Sequence, residues 1–375
     1  MEKIKKFFIN LMESGVTGER CEFPDGFTEE DFSVLFSISK KHESAALIGY
    51  ALSDCGVDIG RTKRDFFEEQ TKCLFIYETQ KHDLIELSEL FGKNKVPFMP
   101  IKGAVIKELY SAPETRYSCD VDVLIKKTDY LRAVAVMKSA GYKLPKSIKK
   151  EKDISAVAAG GTVFDLHSVF SVEKGNMLTE IIWETAVPDK DNPYLFHASP
   201  EAIACYTADH AARHFKEGGC GIKTVADFIA INKKLSIDKN LLNSLLEKTG
   251  NKKFYDGITR LIKAWREESQ DEFTDAFGSF ILDGGVFGTF EQSAAMASVG
   301  EKHFILKKIF VPKAELEKTF PDLKKHPFFL PFYEVKRWCF FLSKDRRKIA
   351  GAKIKASHNN ELVKKAEYLK KELGI

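Results

Sequence analysis

The sequence predicts an α+β fold: a small mixed β-sheet flanked by helices, with a helical segment before it and a helical domain after it. Three observations predict this. Apolar residues recur at helical spacing through the first 94 positions. Short apolar, β-branched runs then gather between 96 and 170, without the regular strand–helix alternation of a doubly wound sheet. After about residue 175 the strand signals stop and helical spacing resumes. The expected boundaries are 1–95 for the N-terminal helices, 96–175 for the α/β core, 176–343 for the helical domain and 344–375 for a basic tail.

Each element has a local reason. The start, MEKIKKFFINLMESG, is basic but has no long apolar stretch and no small-residue cleavage site, so it reads as a helix rather than a signal. SVLFSISKKHESAALIGYAL (33–52) has helical apolar spacing, and 63–95 reads as a long amphipathic helix. VPFMPIKG (96–103) reads as a strand running into Lys102-Gly103, AVIKELY (104–110) as helix, and 111–116 as a turn. TRYSCDVDVLIKK (115–127) has the apolar density of a buried strand. TDYLRAVAVMKSAGYKL (128–144) reads as a helix stopped at Gly141, then a short strand. DISAVAA (153–159) and TVFDLHSVF (162–170) read as a hairpin turning at Gly160-Gly161. Residues 199–216 open on Ser199 as cap with a proline at the first turn, and further helices follow at 222–235, 239–249 and 253–265. The aromatic run HPFFLPFYEVKRWCFFL (326–342) reads as a helix buried on the core, and the tail as a solvated helix. A membrane surface or an acidic partner is the alternative docking place for the run and tail together.

Composition narrows the class. The chain has 375 residues, 44% hydrophobic and 30% charged, which is ordinary for a globular protein of two or three domains. Its net charge of +4 is too mild to argue for a nucleic-acid partner. The charge is uneven: Lys344–Ile375 carries +6 and the remainder −2. Seven scattered cysteines without a CxxC suit reduced thiols and a cytoplasmic location. The longest apolar runs fall short of a membrane span.

The chemistry is signalled at 115–127. In a strand, residues two apart share a face, so Asp120 and Asp122 project together while Val121 and Val123 point to the opposite core. Two carboxylates held side by side repel and lose solvation, and a divalent cation is the natural counter-charge. FDLH supplies a third carboxylate, Asp165, between Phe164 and Leu166. Should its strand lie beside the first, the three acids meet at one sheet edge, as metal-assisted phosphoryl chemistry requires. A second Asp-x-Asp pair, Asp189 and Asp191 between prolines, reads as a solvated loop and serves as a control.

IKGAVIKELY, then TRYSCDVDVLI, then FDLH resemble the DNA polymerase beta-like nucleotidyltransferase superfamily, and more closely its uncharacterised bacterial branch. HAARH followed by GIKTVADFIAI, the stretch GVFGTFE and the run from 304 to 338 extend the likeness over about 30–343. Lys102-Gly103 stands where the wider superfamily has Gly-Ser, and Cys119 where the branch has glycine. The resemblance implies transfer of a nucleoside monophosphate from a nucleoside triphosphate to a hydroxyl, with Mg²⁺ or Mn²⁺ held by Asp120, Asp122 and Asp165. Asp165 would also take the acceptor proton. Lys102, Gly103 and Arg116 would bind the nucleotide phosphates, although Lys102 also reads as a solvated turn lysine and Arg116 as a surface partner of Glu114. His167 would touch phosphate or orient Asp165. His210, His214, Lys223 and Asp227 would face the cleft from the helical domain and contact nucleotide or acceptor, the acceptor being a small molecule, a glycan precursor, a peptide or a protein side chain. Two other classes stand beside this one. A catalytically weak relative would bind nucleotide or RNA as a regulatory or interaction module. A zinc hydrolase would use His210 and His214, but Ala211 replaces the glutamate an HExxH helix needs.

Overall fold

The computed structural model describes residues 1–56, 58–145, 153–170, 177–300, 311, 313–324, 326–341 and 360–375. Helices α1 (Glu2–Thr17), α2 (Glu29–Lys41), α3 (Ala45–Cys55) and α4 (Thr62–Lys93) lead into the sheet. α2 opens on a reciprocal capping box between Thr28 and Asp31, which satisfies two orphan helix donors. The helical spacing over 33–52 is divided between two helices. The break lies at 42–44, where Glu43 adopts φ 51 and the His42 ring is buried. Its Nε2 lies 3.1 Å from the Leu282 carbonyl, and its Nδ1 is 3.3 Å from the Ile222 amide. Partners 180 and 240 residues away decide this break, so the local apolar pattern runs through it unmarked.

The sheet has the order β1-β2-β4-β3, with β1 (Phe98–Pro100), β2 (Asp120–Ile125), β3 (Ile154–Val157) and β4 (Val163–His167). β2 and β4 run parallel, and the other two pairings are antiparallel. The helix expected at 104–110 is one turn, α5 (Gly103–Ile106), followed by a 3₁₀ turn. α6 (Tyr130–Ser139) ends before Gly141, which sits at φ 89. The hairpin turns at Gly160-Gly161 as expected; Gly161 has φ 103, and a Cβ on Gly160 would meet Asp83 Oδ1 at 2.3 Å. That buried carboxylate accepts from the Thr162 amide at 3.1 Å and so fixes the turn against α4.

The pleat sorts side chains onto two cores. Val121, Val123 and Ile125 of β2, with Phe164 and Leu166 of β4, pack under α4 and α6. Leu124 joins the larger core on the other face, which is the face that carries Asp120, Asp122 and Asp165. That larger core does not follow the expected division at 95 and 176. It joins α1 and α3 to α8 (Pro200–Glu217), α9 (Ile222–Lys234), α10 (Lys239–Lys248), α11 (Lys252–Glu267) and α12 (Glu272–Gly284).

Three expectations are corrected here. Strands do not stop at 175: after α7 (Met177–Glu184), β5 (Val187–Pro188) and β6 (Phe196–His197) form a small ladder. The loop between them carries Asp189, whose carboxylate accepts from the Asp191 and Asn192 amides, a turn that ties the control pair to loop geometry. After α13 (Phe290–Ser298) and α14 (Lys313–Thr319), the aromatic run forms a 3₁₀ turn and α15 (Leu330–Phe341), and its first part is not buried: Phe328 is 92% exposed, and Phe329, Phe332 and Val335 are also exposed, while the side chains from 338 to 342 lie outside the described ones. Nor is the tail wholly solvated. α16 (Asn360–Leu373) buries Ala366, Leu369 and Leu373 in the larger core, while residues 344–359 lie outside the described ones.

Candidate active site

The carboxylates are placed by register. Asp122 on β2 stands directly beside Asp165 on the parallel strand β4, and Asp120 follows two residues away on the same face. All three line one cavity of about 370 Å³, together with Lys102, Gly103, Arg116 and His167 from the sheet side. His210, His214, Lys223 and Phe287 line it from the helical side. Of the cleft residues expected from the sequence, Asp227 alone is not among those lining it.

Asp122 is the most constrained of the acids. Burial alone would raise its pKa, but hydrogen bonds from His167 and Lys102 outweigh that and hold it at about 2. His167 Nε2 lies 2.7 Å and Lys102 Nζ 2.6 Å from the same oxygen, Oδ1. His167 also reaches Asp153 through Nδ1 at 3.2 Å. Burial opposes charging of this imidazole, yet the two carboxylates raise its pKa above the ordinary value. Asp120 is shifted the other way: burial first, then the neighbouring Asp122 and Asp165, raise it. Asp165 keeps a buried Oδ1 with no protein hydrogen-bond partner. Such an orphan is costly in a closed core and ordinary where a ligand supplies the partner.

That orphan oxygen, and the mutual repulsion felt by Asp120, fit a bound divalent cation. The spacing adds a condition. Among the described residues, the one set of three ligand atoms all within 4.8 Å of one another is His82, Asp83 and Glu86 on α4, outside the cavity. The three cavity acids are therefore not drawn together as a closed three-ligand cluster in the free protein.

Lys102 caps α5 with φ 53 and ψ −126, a backbone region rarely adopted by a residue with a side chain, at a cost of about 1–3 kcal/mol. The geometry turns its ammonium toward Asp122, so it is not a solvated turn lysine. Gly103 is required first by packing: a Cβ there would stand 2.7 Å from Arg116 Nη1. Arg116 does not pair with Glu114. Its Nε and Nη2 form a fork onto Asp227, at 2.9 and 2.8 Å, and Tyr110 donates to the same carboxylate at 2.8 Å. Asp227 is thus an anchor that aims Arg116, not a contact for substrate; nothing in the spacing of 111 residues announces it.

On the helical wall, His210 and His214 stack edge to face with centroids 4.4 Å apart and their Nε2 atoms 3.2 Å apart. Burial, then the nearby Lys102, drives His210 well below its ordinary pKa, and burial lowers His214 too. No third ligand joins them within coordination distance among the described residues, which leaves the zinc reading without a site. Lys223 is held by Glu43 at 3.1 Å.

Sequence reasoning missed residues that brace or line the cavity. Lys107 is buried and donates to Gln80 at 2.6 Å, while Gln80 donates to the Ser118 carbonyl at 2.9 Å, in the segment that leads to Asp120. Burial and Arg116 lower Lys107 to about 8. Both residues read as ordinary members of amphipathic helices. Phe287 was visible only as part of a glycine-flanked stretch.

The residues that build this cavity lie largely within a segment that matches a known family. The model of a family described as "Uncharacterised nucleotidyltransferase" matches residues 28–267. The chain belongs to this nucleotidyltransferase family. The matched segment holds every sheet-side residue of the cavity, and His210, His214 and Lys223. It stops short of α12, Phe287 and the C-terminal helices, so the likeness expected as far as 343 is matched only as far as 267. No curated protein and no solved structure matches the chain.

Proposed function

We propose that the cavity binds a nucleoside triphosphate with Mg²⁺ or Mn²⁺ and transfers the nucleotidyl group to a hydroxyl, as in the DNA polymerase beta-like superfamily. The observation that carries this is the register of β2 and β4, which sets Asp122 beside Asp165 with Asp120 next along the same face. Divalent cations held by these acids would neutralise the phosphates and polarise the reacting phosphorus. Lys102 and Arg116, which line the cavity, would bind the triphosphate, with Arg116 kept in orientation by Asp227. The acceptor oxygen attacks the α-phosphorus, pyrophosphate leaves, and the hydroxyl proton passes to Asp165, whose Oδ1 has no protein donor. In the free protein, hydrogen bonds from His167 and Lys102 favour the carboxylate form of Asp122, the form that would hold a cation. Catalysis would be positioning and charge neutralisation, as is usual for phosphoryl chemistry.

The test is Asp165→Asn. Removing one of three mutually repelling carboxylates, and one without a hydrogen-bond partner on Oδ1, should leave the melting temperature of the free protein unchanged or raise it. The same variant should lose the further rise in melting temperature that Mg²⁺ with a nucleoside triphosphate gives the wild type. A full nucleotide-dependent rise in the variant would count against the site. Release of pyrophosphate on adding cell extract distinguishes a transferase from a binding module of the same fold.

A further inference from the structure

We propose that Phe287 is the platform on which the nucleobase of the donor nucleotide stacks; this rests on the reading of the cavity as a nucleoside triphosphate site. Phe287 lies on the turn between α12 and α13 and lines the cavity, yet it remains 65% exposed. An apolar ring in that position carries a solvation penalty that burial against a ligand would remove. The exposure is imposed by the backbone rather than by slack in the turn. Gly285 and Gly288 hold φ 75 and φ 79, and the turn lies backbone to backbone on residues 218–221. A Cβ on Gly288 would meet the Gly218 carbonyl oxygen at 2.0 Å, and one on Gly221 would meet the Gly285 carbonyl oxygen at 2.9 Å. Lys41 Nζ ties the start of the turn by donating to the Asp283 carbonyl at 2.6 Å.

The two sides of the cavity differ in chemistry, and this assigns the ends of the ligand. The sheet side holds the acids, Lys102 and Arg116, which suit phosphates and their cations. The helical side also carries a cation, Lys223, but that one is paired with Glu43, and beside it stands a cluster of rings: His214 packs on Phe287 with centroids 5.4 Å apart, and His210 on His214. Rings packed edge to face and tilted on one another leave π-faces open to a flat ligand. Stacking favours every base, since each has a π-face, so binding should discriminate weakly among the four triphosphates.

Calorimetric titration of Mg²⁺ with each nucleoside triphosphate, and with inorganic tripolyphosphate, separates the two ends. Phe287→Ala should weaken each nucleoside triphosphate by about tenfold while leaving tripolyphosphate unchanged. Phe287→Trp should restore affinity, and the new indole should be quenched on nucleotide binding. Equal nucleotide affinity in wild type and Phe287→Ala would overturn the platform and leave the triphosphate site standing. Absence of binding by both ligand types to the wild type would overturn the site and the platform together.

Discussion

At the scale of single residues, the site depends on a buried charge that needs its partner. Arg116 and Asp227 are both largely removed from water and joined by two parallel hydrogen bonds. Deleting one member of such a pair strands the other, at a cost of about 3–5 kcal/mol, whereas an apolar replacement of both is often neutral. Asp227→Ala should therefore lower urea stability by about 3–5 kcal/mol. Because Tyr110 also donates to Asp227, Arg116→Met and Asp227→Leu combined with Tyr110→Phe should recover most of that and still lack Mg²⁺-nucleotide binding. Recovery of binding along with stability would remove Arg116 from the site. The contrast also shows what a sequence exposes at this scale. Asp120 and Asp122 were legible because two acids interrupt a β-branched run, and the period of a strand fixes their common face. Asp227 was visible as a charged residue on a helix, but its role was not, because its partner lies 111 residues away.

At the scale of elements, the turn between α2 and α3 shows how a tertiary contact overrides a local pattern. Helical spacing runs unbroken through 33–52, but the His42 ring is drawn inward to bridge the Leu282 carbonyl and the Ile222 amide. Nδ1 accepts and Nε2–H donates, so the bridge requires the neutral ring. Burial, against the raising effect of the Leu282 carbonyl and with the help of Lys41, lowers its pKa from 6.5 to about 4. A folded-state pKa below the unfolded one means that the unfolded chain binds the proton first. This contribution is constant above pH 6.5, and stability then falls as the pH drops toward 4, by about 3 kcal/mol. Thermal melts between pH 7 and 4 should show the fall, and His42→Asn should have a shallower profile than the wild type over the same window. Parallel profiles would mean that other groups carry the acid sensitivity. The hairpin at Gly160-Gly161 was legible by contrast, because turn chemistry is written in adjacent residues.

At the scale of the whole molecule, the family match and the packing have different limits. Residues 28–267 hold the cavity acids and the phosphate-side cations, yet the larger core is completed by α1 before that segment and by α12 and α16 after it. α16 was hard to read because its charge hides its packing. Lys364, Lys365, Lys370 and Lys371 give it the composition of a solvated tail, while Ala366, Leu369 and Leu373 form a narrow stripe that is fully used. Two of those lysines are themselves engaged: Lys370 donates to the Met296 carbonyl at the end of α13, at 2.7 Å, and Lys365 to Ser279 on α12, at 3.1 Å. A Cβ on Gly257 of α11 would strike Leu373 at 2.5 Å, so the two helices are in close contact there. Truncating a buried leucine costs about 2–5 kcal/mol, whereas an exposed substitution stays within about 0.5 kcal/mol. Leu369→Ala should accordingly destabilise the protein by about 2–5 kcal/mol in denaturant melts, and exposed Lys371→Ala should not measurably do so. Equal, negligible effects would return α16 to the status of a solvated tail and leave α12 and α13, which frame the Phe287 turn, without their outer cover.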